Sequence, residues 1–480
     1  MRRHHEPSRA GLHHACRVSR REMLGTTLGA MTAAFLPFTP LDGSYRTRTS
    51  ALTASDLDVA FAAARWVRAA RRETATGITW PADPGQPASV GRDLYNGIPG
   101  VVLFHLELYH ATHDRVWLDE AKAGAREIIA QLPAMDTAAD CGLYTGLGGA
   151  AFVLEETHRA SGDGRFRDAA ARAIASIHAN ARRVGSGVAW SGESATDDII
   201  SGSAGIGLLL LWADRRIKET QNRALAVAAG RRLVEVGRPA NGGLKWAMEP
   251  DGARLYPNFS HGTAGVAYFL AALHRATGDR AFVDAAVAGA KYLEAVANTE
   301  QDGLKVFHHE PGGEDLYYLS WCHGPAGTSR LFYELARTTG DKRWLTSIQR
   351  AARAITASGI PEQRTPGFWN NISQCCGNAG VGEYFLTLNR LMPDPAYAEM
   401  VSRVRNDTLL RATVAEMQRP PHSRGMKWIQ AENRIQPDVI VAQTGFMQGA
   451  SGVGTFFLHL DAAKTRRAAH AIQWPDSPFA

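Results

Sequence analysis

Apolar and polar positions follow a long repeat that runs through most of the chain. Seven times, a short turn leads into a run of mostly apolar residues, and each turn contains the pattern Gly-x-x-Gly. The seven stretches begin at Tyr95, Tyr144, Ile200, Ser260, Trp321, Gln374 and Phe446. A single Gly-x-x-Gly carries little information, but seven in register along one chain indicate an internal structural repeat.

An aspartate recurs at a fixed distance from this turn. In five repeats it follows the first glycine by 17 residues. The pairs are Gly97 and Asp114, Gly146 and Asp163, Gly262 and Asp279, Gly324 and Asp341, and Gly377 and Asp394. An alanine-rich amphipathic segment tends to follow, as in residues 282–297. Each repeat is therefore predicted to form an apolar helix, a tight loop and an amphipathic helix.

A glycine followed three residues later by tryptophan is a third recurring pattern, and it precedes several of the repeats. The tryptophans are Trp80, Trp190, Trp246 and Trp428, and a version one residue shorter ends at Trp369. This pattern predicts a short turn ahead of the loop that leads to the next Gly-x-x-Gly.

These patterns predict an all-α fold in which apolar helices pack inward and amphipathic helices cover them. Seven helical hairpins could stack as an open solenoid or close into a ring. We favour a closed α/α toroid with an inner and an outer ring of seven helices, because glycine lets the starts of the inner helices approach closely. The loops ahead of the inner helices would then meet at one mouth, toward which the positive ends of the helix dipoles point. The residues just before each Gly-x-x-Gly therefore form the candidate active-site shell.

Reactive side chains stand before the first glycine in three repeats. They are His261, Cys322, His323, Cys375 and Cys376, whereas the other repeats have Asn96, Thr145, Ser201 and Gln448 at this point. In the third repeat, Asp198 lies four residues before the glycine. The mouth is thus expected to bring together thiols, imidazoles and a carboxylate.

Three of the five cysteines fall in equivalent places of neighbouring repeats, which suits a zinc ion. Three protein ligands leave one position open, the arrangement of a catalytic zinc site. A fourth ligand from His323 or His261 would close the site. The alternatives are a disulfide between Cys322 and one of the pair, a vicinal Cys375–Cys376 bridge, or ordinary buried thiols.

The composition is that of an ordinary soluble globular protein, with 45% hydrophobic and 21% charged residues in a chain of 480. The net charge of +6 arises in part from arginines near the N-terminus. No run of Lys and Arg with interleaved aromatic residues follows, which argues against a nucleic-acid partner. Cys141 is expected to be a packed thiol, and we expect the protein to be a monomer.

The N-terminus has the pattern of a twin-arginine export signal, because Arg20 and Arg21 precede an uncharged stretch, Leu24 to Phe38. This stretch has 15 residues, short of the roughly 20 that span a bilayer, and no other long apolar run follows. We therefore expect an exported protein (periplasmic, secreted or on the surface), or a cytoplasmic one if the signal is misassigned. The expected divisions are a signal with linker over 1–45, which includes Cys16, a toroid over 50–465, and a C-terminal tail over 466–480.

Four motifs together resemble those of the lanthionine cyclase (LanC-like) family. They are Asp198-Ile-Ile-Ser-Gly, Ser260-His261-Gly-x-x-Gly, Ser320-Trp321-Cys322-His323-Gly and Cys375-Cys376-Gly. With the seven glycine turns, the resemblance extends over about residues 55 to 460. It implies an α/α toroid with one zinc ion per chain at its mouth. It also implies an enzyme that adds a thiol across dehydroalanine or dehydrobutyrine to form a thioether, as in lanthipeptides, and some relatives add glutathione instead.

Carried over to this chain, the resemblance implies zinc bound by Cys322, Cys375 and Cys376. It implies His261 as the general acid or base and Asp198 as its partner. The partners implied are a dehydrated peptide or a small thiol with a dehydroamino acid.

Three residues depart from the family's usual pattern. Cys376 stands where histidine is common, Tyr318 where bacterial cyclases often have arginine, and His323 where tyrosine is frequent. A set of three thiolates is more electron-rich and would leave a bound thiolate more nucleophilic. The sequence Trp-Cys-His-Gly looks more like the glutathione-adding relatives, so these departures bear on the substrate more than on the metal. His323 is also a second candidate for the acid–base role.

Two other functions fit the same residues. An exported carbohydrate enzyme could stack sugars on the recurring tryptophans and use nearby acidic residues, namely Glu249, Asp251, Glu310 and Glu432. We favour a structural role for those tryptophans, as pegs of the repeated turn. The third function is a non-catalytic, zinc-stabilised scaffold that binds a peptide, and it predicts zinc without thiol addition.

Overall fold

The structure is a computed structural model that describes residues 54–190, 195–217, 221–249, 251–364, 371–416, 424–429, 440–465 and 472–479. The expected export signal with Cys16, and also Trp369 and Glu432, lie outside the described residues. The described part contains fourteen α-helices: α1 Asp56–Ala69, α2 Ile98–Thr112, α3 Arg115–Gln131, α4 Leu147–Ser161, α5 Gly164–Ala179, α6 Ser203–Arg216, α7 Asn222–Val236, α8 Thr263–Thr277, α9 Arg280–Val296, α10 Pro325–Thr339, α11 Arg343–Thr356, α12 Asn378–Leu391, α13 Pro395–Leu410 and α14 Ala450–Lys464.

Four antiparallel strand pairs connect outer helices to the loops that follow them. They are β1 Arg72–Glu73 with β2 Ile78–Thr79, β3 Arg182–Val184 with β4 Gly187–Ala189, β5 Arg238–Ala240 with β6 Gly243–Lys245, and β7 Thr413–Glu416 with β8 Arg424–Lys427. Within the described ranges, no helix has both the length and the apolar character needed to cross a bilayer.

The helices form two concentric rings, as the burial of α8 and α9 illustrates. In α8, all residues from Thr263 to Leu273 are buried, so this helix lies inside the body of the protein. In α9 the buried residues recur every three to four positions and mark one face, as expected of an outer helix. The even-numbered helices, which follow the glycine turns, form the inner ring.

The inner ring is closed. Each inner helix packs against the next one along the chain, and the last, α14, packs against the first, α2. This confirms the predicted all-α α/α toroid, with a ring rather than an open stack of hairpins.

The seventh outer helix comes from the other end of the fold. Six inner helices pack against the helix that follows them in sequence, but α14 packs against α1. The ring is therefore completed by pairing the first and last helices. No repeated motif marks α1, so the sequence pattern did not predict this pairing.

The recurring aspartates start the outer helices. Asp114, Asp163, Asp279 and Asp394 are N-cap residues whose carboxylates accept the backbone N–H two positions later. Asp341 accepts the backbone N–H of Arg343 in the same way, at 2.9 Å. Each cap satisfies a helix-end donor and contributes about 1 kcal/mol.

The four recurring tryptophans within the described residues are structural. Trp80, Trp190, Trp246 and Trp428 are at most 1% exposed. The indole N–H groups of the last three donate to main-chain carbonyls at the ends of outer helices, at 2.6 to 2.8 Å. The hypothesis that these four tryptophans stack on sugars at the mouth is therefore wrong, because buried rings offer no face to a ligand.

Candidate metal centre and acid–base pair

A closed belt of backbone hydrogen bonds joins the seven glycine turns at the mouth, the end of the toroid where the inner helices begin. Each turn contributes the residue two positions before its first glycine, with Ile199 joining Ile200 in the third. The bonds are 2.8 to 3.1 Å long, and in each the backbone N–H of one residue donates to the carbonyl oxygen of another. The donor and acceptor pairs are Met447 to Tyr95, Tyr95 to Tyr144, Tyr144 to Ile200, Ile199 to Ser260, Ser260 to Cys322, Cys322 to Cys375, and Cys375 to Met447. The backbone of Cys322 and Cys375 is thus held on both sides.

Glycine is needed next to this belt because a side chain there would clash with nearby backbone atoms. A Cβ atom added at Gly262 would lie 1.5 Å from the carbonyl oxygen of Tyr256, and one added at Gly327 would lie 1.8 Å from that of Trp321. Backbone contacts this close exclude any side chain. These glycines therefore let each turn fold closely against the start of its own helix, and a Cβ atom at Gly327 would also lie 2.8 Å from that of Phe259 in the preceding turn.

Three cysteine sulfurs meet at the mouth. The Sγ atom of Cys376 lies 3.3 Å from that of Cys322 and 3.2 Å from that of Cys375, and each residue is 3% exposed. The cysteines of the described residues are all free thiols. The three ligand atoms lie within 4.8 Å of one another, a spread that one ion with Zn–S bonds of about 2.3 Å can span.

Burial limits the charge that the three thiols can carry. Burial, together with contacts to Cys375 and Cys376, raises the pKa of the Cys322 thiol well above its ordinary value. Three adjacent buried thiolates would repel one another without a compensating positive charge. A soft divalent cation such as Zn²⁺ supplies that charge, so the residues fit the metal expected from the sequence.

The group contains no histidine. Among the described residues, Cys322, Cys375 and Cys376 are the one cluster with metal-ligand geometry, and neither His323 nor His261 belongs to it. Three protein ligands leave room for an additional ligand from substrate or water, as in catalytic zinc sites.

His261 is oriented by a buried carboxylate. Its Nδ1 atom lies 2.6 Å from Oδ2 of Asp198. The other carboxylate oxygen accepts the backbone N–H groups of Ser201 and Gly202 at 2.8 and 2.7 Å, at the start of α6. Asp198 is fully buried, while His261 is 25% exposed. The carboxylate therefore both caps the helix start and fixes the imidazole, which leaves Nε2 for a substrate.

His323 packs against His261 and is more deeply buried. It is 3% exposed, and its ring centroid is 5.3 Å from that of His261 and 4.2 Å from that of His308. Its Nε2 atom is 3.5 Å from the hydroxyl of Ser260. The structure thus places the second acid–base candidate in the wall of the site.

The site contains aromatic residues that the motifs did not mark. The ring of Tyr256 has centroid distances of 5.4 to 6.0 Å to the rings of His261, His308, His309 and His323. Tyr256 lies six residues before its repeat's first glycine, the offset that Tyr318 has in the next repeat. That shared offset was the available signal for Tyr256, but His308 and His309 lie in a loop without a repeated pattern.

Gln448 is a further site residue that its sequence did not distinguish. Its side-chain amide donates to the hydroxyl of Tyr95 at 2.8 Å and lies 3.9 Å from Sγ of Cys376. It occupies the same place in its repeat as His261, His323 and Cys376 do in theirs. Position in the repeat, rather than residue type, identifies it.

Comparisons with known proteins agree with this fold. The family model described as lanthionine synthetase C-like protein matches residues 88–477. Nisin cyclase, a solved structure, has a TM-score of 0.55 and 17% identity, and the match covers 77% of this chain and 88% of that one. No curated protein sequence matches significantly.

Two further solved structures have lower TM-scores. An α-1,6-mannanase of Salegentibacter sp. has a TM-score of 0.43 and 15% identity over 65% of this chain and 90% of that one. Cellobiose 2-epimerase from Bacillus thermoamylovorans has a TM-score of 0.44 and 12% identity over 68% and 90%. At these identities, a structural likeness shows the fold alone.

Proposed function

The chain belongs to the lanthionine synthetase C-like family, and from this premise we propose that it is a zinc-dependent enzyme of thioether formation. The reaction would add a thiol across the carbon–carbon double bond of a dehydroamino acid. The thiol would come from a peptide cysteine or from a small thiol.

One observation carries this proposal: the thiol cluster and the carboxylate-backed histidine lie on directly bonded turns. The N–H of Ser260, the residue before His261, donates to the carbonyl of Cys322 at 2.8 Å. A metal-ligand set and an oriented proton carrier at one mouth are the two components that thiol addition needs.

Cys322, Cys375 and Cys376 would hold the ion. When bound, Zn²⁺ lowers the pKa of a thiol, which for a free cysteine is about 8.5, and so favours the nucleophilic thiolate near neutral pH. The protein contributes buried ligands on a backbone held by the belt, so the cluster is formed before substrate arrives.

His261 would complete the addition. The sulfur forms a bond to the β-carbon, and the electron pair of the double bond moves toward the carbonyl group as an enolate. The proton that the thiol loses passes to Nε2 of His261, directly or through water, and His261 then transfers it to the α-carbon, so that the imidazole returns to its starting state. Asp198 fixes the imidazole through Nδ1 and so sets the direction in which Nε2 points.

The substrate is a dehydrated peptide or a smaller dehydroamino acid. Family membership supports a peptide, and the residues at the mouth allow both. His323 and Tyr318 stand where cyclases often have tyrosine and arginine, which favours testing small thiols such as glutathione beside peptide cysteine. Export by the twin-arginine route, residues 1–45 as signal and 466–480 as tail, and a monomeric state belong to this proposal.

A zinc-stabilised peptide-binding scaffold is the second candidate, because the same cluster would bind metal without any reaction. A carbohydrate enzyme is less favoured, since the tryptophans assigned to it in the described residues are buried.

Two measurements test the proposal on the purified full chain. Zinc analysis should give one ion per chain, and mass spectrometry should detect a thiol adduct on dehydroalanine peptides supplied with cysteine or glutathione. His261→Ala should retain zinc and lose the adduct, and Cys376→Ala should lose both. Cys141→Ala, a buried thiol outside the cluster, is the matched control. If zinc is bound but no thiol forms an adduct, the enzyme proposal fails and the peptide-binding scaffold remains as the candidate function.

A further inference from the structure

The lumen, the space enclosed by the inner helices, contains the tail segment, defined here as residues 472–479. Ile472, Asp476 and Phe479 in this segment are buried, with Asp476 at 0% exposure. Between the tail segment and α10, α12 and α14 lies a cavity of about 400 Å³. A stretch of chain that follows the last helix thus lies within the toroid.

Arginines of two inner helices hold the backbone of the tail segment. Arg330 and Arg337 of α10 donate to the carbonyls of Asp476 and Pro478, each at 2.7 Å. Arg390 of α12 donates to the carbonyl of Phe479 at 2.5 Å. Three side-chain donors on backbone carbonyls fix the path of the segment rather than only filling space with it.

Asp476 links the tail segment to a cysteine of the metal centre. Its Oδ2 accepts the hydroxyl of Tyr144 at 3.0 Å, and Arg330 lies 3.3 Å from the same oxygen. The ring of Tyr144 packs against Trp321 with centroids 5.1 Å apart. Trp321 directly precedes Cys322, so the carboxylate fixes the ring beneath this turn.

Trp474 reaches the other cysteine turn. Its ring lies 5.9 Å from Tyr144 and 5.0 Å from Phe446. Phe446 precedes Met447, whose carbonyl accepts the N–H of Cys375 at 3.0 Å. The tail segment therefore contacts the supports of two of the three cysteines from inside the lumen.

We propose that the tail segment is a positioning element of the metal centre, in which Asp476 acts through Tyr144 on the turn that carries Cys322. The inference rests on the proposed function, because its expected effect is on the metal site, whereas the contacts of Asp476 and Tyr144 are seen in the structure. Loss of the Asp476 carboxylate removes the charged acceptor of the Tyr144 hydroxyl and of Arg330, which keeps its bond to the main-chain carbonyl, so the ring that supports Trp321 shifts. The sulfur geometry changes while the cysteines themselves remain.

The test uses the full chain loaded with Co²⁺ in place of zinc, because the visible absorption of Co²⁺ reports on its thiolate geometry. Asp476→Asn should change the absorption spectrum and accelerate loss of the metal to a chelator about tenfold, the scale on which residues behind metal ligands act. Tyr144→Phe, which removes only the hydroxyl, should change the spectrum in the same direction. Glu383→Gln is the matched control, since its carboxylate lines the same cavity and pairs with His459 at 2.7 Å. It should lower the unfolding temperature and leave the spectrum unchanged.

Outcomes for the inference and for the proposed function are distinguishable. A wild-type chain that binds neither Co²⁺ nor Zn²⁺ contradicts the proposed function. In that case, the reaction of the metal-free thiols with a maleimide still tests the positioning, and Asp476→Asn should alter its rate relative to Glu383→Gln. If Asp476→Asn and Tyr144→Phe leave both the Co²⁺ spectrum and the thiol reaction at wild-type values, the inference is overturned.

Discussion

Asp198 holds His261 through one carboxylate oxygen and the start of α6 through the other. The Oδ2–Nδ1 distance is 2.6 Å, and Oδ1 accepts two backbone N–H groups. Although 63 positions separate the two residues in sequence, the carboxylate cannot rotate away from the imidazole without uncapping the helix. The orientation of the imidazole is therefore fixed by the same carboxylate that caps the start of an inner helix.

Replacing this carboxylate should impair catalysis without removing the metal. Asp198→Asn keeps a capping side chain, but its single oxygen cannot hold both the start of α6 and Nδ1 of His261, as the two carboxylate oxygens do. We expect thioether formation to slow about 100-fold, as measured by mass spectrometry under saturating substrate. Zinc content should stay at the wild-type value. His323→Gln is the comparison, and an equal loss of rate in both variants would argue against a special role for the Asp198–His261 pair.

The third cysteine should be exchangeable for histidine but not for alanine. Cys376→His substitutes one zinc ligand for another and should retain an ion, whereas Cys376→Ala should release it, because two thiolates bind zinc far more weakly. Elemental analysis after dialysis measures both. Cys141→Ala controls for the general loss of a buried thiol. Full zinc retention by Cys376→Ala would contradict the assigned ligand set.

His105 should make the toroid sensitive to acid. It is fully buried against Trp80 and Trp117, and burial, together with the nearby Arg68 and Arg71, lowers its pKa to about 3. Between pH 6.5 and 3 the unfolded chain therefore binds a proton that the folded chain does not. As the pH is lowered through this range, the free energy of unfolding should decrease by up to about 1.4 kcal/mol for each pH unit.

His105→Leu should remove this part of the pH dependence. Urea unfolding at pH 7 and pH 4.5 measures the difference. The control is His113→Asn, an exposed position with φ of 57°, a conformation that asparagine tolerates. An unchanged difference between the two pH values in His105→Leu would show that other groups set the acid sensitivity.

The joint between the first and last helices should be a weak point of the ring. Asp56 at the start of α1 is 1% exposed and pairs with Arg405 and Lys464, each at 2.5 Å. Asp56→Ala leaves Arg405 partly buried without its partner and should lower the free energy of unfolding by about 1–3 kcal/mol. Urea denaturation measures this. The exposed neighbour Asp58, replaced by Asn, should change stability little, and equal losses would contradict a role for this joint.

Much of the fold could be predicted because its determinants are local. The Gly-x-x-Gly turns and the aspartate caps are short motifs at fixed spacing, so they mark where helices begin. The outer ring is completed by α1, which packs on α14; no shared motif connects these two helices, and only packing in three dimensions reveals that they pair.

The candidate site divides in the same way. Cys322, Cys375, Cys376 and His261 stand at repeated positions, so their convergence could be predicted, although their chemical roles remain predictions. Other residues reach the site from loops or by their place in the ring, and they are Tyr95, Tyr256, His308 and Gln448. The route from Asp476 through Tyr144 crosses 332 positions of sequence, a distance at which residue type alone carries no information.

The backbone belt at the mouth makes the number of repeats a determinant of chemistry. A ring of seven mutually bonded turns has a set circumference, and the separation between the turns of His261, Cys322 and Cys375 depends on it. Duplicating or deleting one hairpin elsewhere in the chain could preserve every local motif and still change the curvature at these three turns. In this architecture, the geometry of the candidate site therefore depends on the total number of repeats, and repeat gain or loss should be tolerated far less than in an open solenoid.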